Sequence, residues 1–407
     1  MPNNFSYHFL TLFLLVSYFL SGKQIYAGQW DIRGETGIEL RIFPDDPEFN
    51  SQDDTYFSPS FMIEPEILYE TEKGNDLFEF VPFFRFDLDD DNRTHFDIRE
   101  LNWFHQGSNW SLLVGADIVY WGVTESRHLV NIINQNDQVE DIDEEDKLGQ
   151  PMINFTYDSD YGTFEFFYLP FFRERTFPDD DARLRGPFII DDNNEGYESD
   201  AKEFHPDFAL RWIHTLGDFD IGAAFFRGTS REPRLIPRAN QNEKIILDPF
   251  YDIIDQQSLD IQWTRDAWLL KFEGITRGGH GNRFVATVAG FEYTLFQIFG
   301  SAADLGLLSE YLYDGRDSGA PPTVFDNDIF GGFRLSLNDI QDTEFLAGIV
   351  TDTENAELFT FVETSRRFGQ NWVAEIEARF FFNTDTNSIA SGISNDGFFT
   401  FTLSRFF

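Results

Sequence analysis

Beyond about residue 30, apolar and polar side chains alternate along the chain with a period of two. The runs are roughly 9 to 15 residues long and are broken by Gly, Asp, Asn, Ser and Lys, the pattern of half-buried β-strands. The alternation predicts strands over 31–43, 61–70, 77–86, 95–105, 110–121, 152–157, 161–173, 204–215, 219–227, 258–264, 267–277, 283–296, 300–313, 329–337, 344–351, 357–363, 372–382 and 397–407. In the fifth run Trp110, Leu112, Val114, Ala116, Ile118 and Tyr120 share one face, while Ser111, Gly115 and Asp117 share the other. Leu259, Ile261 and Trp263 oppose Asp260, Gln262 and Thr264 in the same way, and Phe333, Leu335 and Leu337 oppose Arg334 and Ser336.

The connections fall into two classes that alternate along most of the chain. Short turns such as Gly107-Ser108-Asn109, Gly217-Asp218 and Arg265-Asp266 follow one strand; long acidic connections, at about 122–150, 174–203 and 228–256, follow the next. A sandwich or propeller has no reason to sort its loops to two sides, whereas a barrel with both ends on one side of a membrane does. The expected fold is therefore all-β, a transmembrane antiparallel β-barrel of about 18 strands, with 16 as the alternative count. Nothing unpaired survives in hydrocarbon, so the sheet must close.

The last run, Gly397 to Phe407, carries Phe399, Phe401, Leu403 and Phe407 on one side and Thr400, Thr402 and Ser404 on the other. It resembles the closing strand of Gram-negative outer-membrane barrels, whose chains end in an amphipathic aromatic strand with a terminal Phe. The resemblance implies that these four residues serve membrane assembly, that the barrel-assembly machinery reads them, and that the chain lies in the cell outer membrane among lipid and lipopolysaccharide. Arg405 departs from the pattern because it falls on the apolar face; a position near the rim lets it reach water.

Composition changes this picture in three ways. The 407 residues include 49 Phe, 14 Tyr and 8 Trp, yet mean hydropathy is negative, as alternation requires. Cysteine is absent, which fits an oxidising compartment and excludes thiolate metal ligands. The 71 Asp and Glu against 30 Lys and Arg give a net charge of -41, which repels nucleic acid and favours cations. At the start, Met1–Ala27 has an apolar core from Phe9 to Leu20, too short for a membrane helix but suited to an export signal. The domain plan is thus a signal peptide over 1–27 and one barrel over 28–407.

The densest polar stretch is the third outer connection, from Trp121 through Glu125, Ser126, Arg127 and His128 to Asp137, Glu140, Asp141, Asp143, Glu144, Glu145 and Asp146. Apolar residues between His128 and Ile133 suit packing against an inner wall. The plan resembles general porins and substrate-selective channels, in which a long early loop folds inward and narrows the pore; it also resembles little-characterised single-chain barrels associated with hydrophobic compounds. Lumenal candidates Arg85, Arg99, Arg173, Arg211, Lys271, Arg334 and Arg379, set against Asp117, Glu375, Glu377 and the acidic loop, predict a charged constriction with a field across it. No resident cofactor is expected, apart from structural calcium or magnesium, for which Asp141, Asp143 and Glu145 are the candidates.

The function expected from these features is a passive channel for small solutes, cation-preferring or for hydrophobic compounds. The alternative is a structural or adhesive surface barrel that binds divalent cations, polysaccharide or a protein. Ser126, His128 and Asp137 hold the residue types of a hydrolase triad, but their spacing does not specify its geometry, and the expectation is that the protein is not an enzyme. The barrel is expected as a monomer or homo-oligomer.

A paired echo, Phe78 to Arg85 and Phe164 to Arg173, carries Pro82 and Pro170. Each proline removes a ladder donor and predicts a local bend or bulge.

Overall fold

A computed structural model describes residues 28–239, 243–355, 357–384 and 389–407. The expected export segment, 1–27, lies outside them. Eighteen antiparallel strands form one sheet. They begin with β1 (Gln29–Ile42), β2 (Phe57–Glu70), β3 (Asp76–Asp87), β4 (His95–Gln106), β5 (Trp110–Asp117), β6 (Gln150–Ser159) and β7 (Gly162–Leu169), and end with Phe398–Phe406. Each strand pairs with the next, and the last pairs with β1 from Glu35 opposite Phe406 to Ile42 opposite Phe399. Phe407 completes the seam by exchanging both backbone hydrogen bonds with Gly34, at 3.0 and 3.1 Å. The sheet is thereby a closed barrel.

Its outer surface is apolar. Phe399, Phe401, Leu403 and Phe407 are exposed, whereas Thr400 and Ser404 are buried inside. Arg405 lies on the outer face near the rim, 5.6 Å from the Trp372 ring centre. No helix among the described residues is long and apolar enough to cross a membrane.

Several strand ends differ from the periodic reading, each for a local reason. The fifth strand stops at Asp117 rather than Trp121 because the Asn134 side chain replaces the neighbouring strand. It donates to the Asp117 carbonyl (2.8 Å) and accepts from the Val119 N–H (2.9 Å). The seventh stops at Leu169, just before Pro170, and Phe172 turns inward to 1 % exposure. The connection expected at 228–256 is shorter than its bounds, because the flanking strands run to Thr229 and from Ile253. It holds its own hairpin, Arg234–Ala239 with Ile245–Tyr251.

Opposite extremes occur at the two rims. Trp268–Gly279 and Gly281–Leu295 are joined through His280 alone. Gly279 (φ 118°) and Gly281 (φ 72°) supply the left-handed backbone that so tight a turn needs. The strand expected from Gly300 begins instead at Asp304, after a 3-10 turn at Ile298–Gly300 in which Phe299 holds φ 56° and is fully exposed.

Pro82 produces a bulge in its partner strand. Val81 faces Glu100 while Pro82 faces Ile98, which leaves Arg99 as the extra residue. The extra residue shifts the alternation of β4, so that Arg99 and Glu100 both turn to the lumen. Pro170 ends its strand instead of bulging it.

Candidate functional site

The connection between β5 and β6 does not stay at the rim; it folds into the barrel and divides the lumen into two sectors. Leu129, Val130, Ile132 and Ile133 are at most 5 % exposed. They pack on inward wall residues such as Phe167, Phe226, Ile254, Phe284 and Phe330. Apolar side chains fill most of this part of the lumen. Most phenylalanines still face outward, but Phe167, Phe226, Phe284 and Phe330 serve this interior.

Two wall carboxylates hold the far tip of the segment. Glu273, with no exposure, accepts the N–H groups of Val123 (2.6 Å), Thr124 (3.0 Å) and Val130 (3.1 Å), and the Thr124 hydroxyl (2.7 Å). Glu310 accepts the N–H groups of Glu125 and Ser126, both at 2.8 Å, and the Ser126 hydroxyl at 2.5 Å. A carboxylate taking several backbone donors supplies partners that the segment, having no sheet of its own, would otherwise lack. Glu125 in turn receives Arg334 (2.8 Å) and Lys271 (3.4 Å), and Arg127 reaches Asp314 at 3.1 Å.

The second sector is ionic. Acidic residues of the segment meet arginines of the opposite wall: Asp137 with Arg99 (2.8 Å), Glu140 with Arg85 (2.6 Å), and Asp143 with Arg379 (2.7 Å). Asp141 lies 3.6 Å from both Arg41 and Arg379. Arg93, 2 % exposed, joins Glu39 and Asp87, each at 2.8 Å, while Arg173 pairs with Asp97 at 2.8 Å. Most wall arginines are therefore spent on holding the segment, and the expected field across an open pore reduces to ion pairs.

The remaining predicted residues fall at different places. Arg211 pairs with Asp260 (3.1 Å) and lies over the Trp121 ring. Asp117 accepts the next residue's N–H at 2.9 Å and caps its strand, and Glu377 lies 3.8 Å from Arg379. Glu375 makes no ion pair among the described residues. Glu144 approaches Arg175 at 3.3 Å. The candidate calcium ligands do not converge: Asp141 and Asp143 share Arg379, whereas Glu145 faces His128 at 3.5 Å. Ser126, His128 and Asp137 turn to Glu310, Glu273 and Arg99 respectively and build no triad.

Glu39, Arg41, Arg93 and Glu310 are members of this site that sequence reasoning missed. Glu39 and Arg41 carried a signal, since they alternate with Ile38, Leu40 and Ile42 and so share the inner face of β1.

His128 has a distinctive setting. Burial alone would lower its pKa, but Glu145 at 3.5 Å and Glu273 at 3.8 Å outweigh it and raise the imidazole to about 9. The imidazolium therefore stabilises the docked segment fully below the ordinary histidine pKa, and that contribution is lost as pH rises through about 9. Thermal melts from pH 6 to 10 should show a loss over this window that His128→Gln abolishes. An equal alkaline loss in the variant would assign the effect to another group.

No protein-family model and no curated relative matches the chain. Among solved structures, Wzi of Escherichia coli aligns over 99 % of this chain and 89 % of its own, at 10 % identity and a TM-score of 0.54. Wzi is described as an outer-membrane protein involved in group 1 capsule assembly and as a carbohydrate-binding β-barrel. OpdQ of Pseudomonas aeruginosa aligns over 94 % of this chain and 97 % of its own, at 12 % identity and a TM-score of 0.49. At such identities the likeness is one of fold.

Proposed function

Taking an outer-membrane β-barrel as the premise, we propose that the protein is a passive, cation-preferring channel for small solutes, constricted by the inward connection between β5 and β6. One observation carries the reading. Asp143, Glu144, Glu145 and Asp146 remain exposed although the stretch bridges the lumen, from Arg379 on one wall to His128, beside Glu273, on another. Water thus reaches a narrow acidic point inside the barrel. Glu35 and Glu64, facing each other across the first two strands, add carboxylates that make no ion pair among the described residues. A low-dielectric wall around such charges concentrates cations and resists anions. The apolar sector is filled by the protein's own side chains, so the solute route runs on the charged side, which favours hydrophilic solutes over hydrophobic ones.

Single-channel recording in planar bilayers tests this directly. Discrete ohmic steps with cation selectivity are expected, and deletion of Asn136 to Asp146 should raise conductance severalfold and weaken selectivity. Unchanged conductance and selectivity in the folded deletion variant would remove the segment from the path. A second reading, a polysaccharide-binding surface barrel, draws on the fold likeness to Wzi. Glycan binding by correctly folded protein that passes no current would favour it.

A further inference from the structure

Within the ionic sector, we propose that His95, Asp137 and Glu140 form a binding site for one first-row divalent cation, with Zn²⁺ the best match. Their three donor atoms lie within 4.8 Å of one another. His95 Nε2 is 3.3 Å from Asp137 Oδ2 and 3.6 Å from Glu140 Oε1. Ligands of a tetrahedral ion with bonds of about 2.0–2.2 Å sit about 3.3–3.5 Å apart, so both nitrogen–oxygen separations are close to those of a bound ion. A nitrogen and two carboxylate oxygens are a donor set for zinc-like ions rather than calcium.

The imidazole itself supplies an independent indication. His95 Nδ1 lies 3.0 Å from the Arg93 carbonyl, which only accepts, so Nδ1 bears the hydrogen. Nε2 faces two carboxylates and makes no hydrogen bond. A neutral imidazole would set its lone pair against negative charge, so this position calls for a cation, a metal ion or a proton on Nε2. A histidine held through Nδ1–H to a backbone carbonyl, with Nε2 free, is the arrangement that orients metal ligands. Asp137 is 1 % exposed, and Thr176 donates to its other oxygen at 2.8 Å.

Arg99 reaches the same Asp137 oxygen that faces His95, at 2.8 Å, and Arg85 donates to both Glu140 oxygens, at 2.9 and 2.8 Å, so each ligand oxygen would be shared between the ion and a guanidinium. The bound ion would staple the start of β4 to the lumenal segment, with Thr176 tying in a second outer connection.

This inference goes beyond the channel reading, and its test needs no conductance. Full-length protein in detergent, stripped with EDTA, is titrated with Zn²⁺ at pH 8 by calorimetry. One equivalent should bind in wild type. His95→Ala, His95→Gln and Asp137→Asn should each weaken binding at least about tenfold, while His214→Ala should match wild type; circular dichroism confirms the fold of each. Binding that survives loss of His95, or a wild-type protein that takes up no Zn²⁺, would overturn the site and leave a proton as the cation on Nε2.

Discussion

Glu273→Ala is expected to free the lumenal segment while leaving the barrel closed. The substitution removes the acceptor for three backbone N–H groups and one hydroxyl at a position with no exposure. Val130, one of its donors, has no exposure either, which leaves little room for water to replace the lost oxygens. Orphaned buried donors cost about 1–3 kcal/mol each, and the docked state should lose roughly 3–6 kcal/mol after partial relaxation. His128 also loses one of its two facing carboxylates. Trypsin should then cut rapidly at Arg127, and single-channel current should become larger and noisier. Glu273→Gln keeps one acceptor oxygen and should fall between. Continued protection of Arg127 in the alanine variant would show that Glu310 and the ionic sector suffice to hold the segment.

Arg85→Met should have a comparable effect from the opposite wall. Arg85 joins Glu140 (2.6 Å) to Glu39 (3.0 Å), and all three are buried. Without it, Glu140 keeps only His95 at 3.6 Å as a charged side-chain partner. Removing one member of a buried pair costs about 3–5 kcal/mol, largely because the other charge is stranded. Glu39 still has Arg41 and Arg93, so the loss should concentrate on Glu140. Arg85→Met combined with Glu140→Leu is therefore expected to recover more than half of the lost stability. Thermal melts followed by circular dichroism and gel mobility would measure this; simple additivity of the two substitutions would argue against a stranded charge.

Much of the barrel was legible in the alternation alone. A strand with one greasy face has one place to put it, so the inner and outer residues of Phe398–Phe406 followed from parity. Arg405 followed from its closeness to the rim. Legibility failed where both faces are apolar. In Ala223-Ala224-Phe225-Phe226 no parity rule tells which phenylalanine is outside, and the barrel exposes Phe225 while burying Phe226. It failed again at Pro82, because the missing donor predicts a disturbance but not that Arg99 on the partner strand becomes the extra residue.

The site was legible in part. The inward course of the third connection could be read from hydrophobic residues embedded in an acidic stretch. Its anchors could not, since Val123 meets Glu273 at a separation of 150 residues and Ser126 meets Glu310 at 184. Such pairs depend on which wall lies opposite after closure, which local pattern does not encode. The arginines were recognised as lumenal, but not that the segment itself would neutralise them.

The seam between the first strand and Phe398–Phe406 bears on how the molecule comes into being. Its hydrogen bonds join Glu35–Ile42 to Phe399–Phe406, contacts of very large sequence separation. Joining such distant partners carries a large entropic barrier, so the final annealing step should be slow. Before it, the nascent sheet has two open margins and is vulnerable to pairing with other copies. Efficient biogenesis thus calls for a template that occupies both margins until the ends meet.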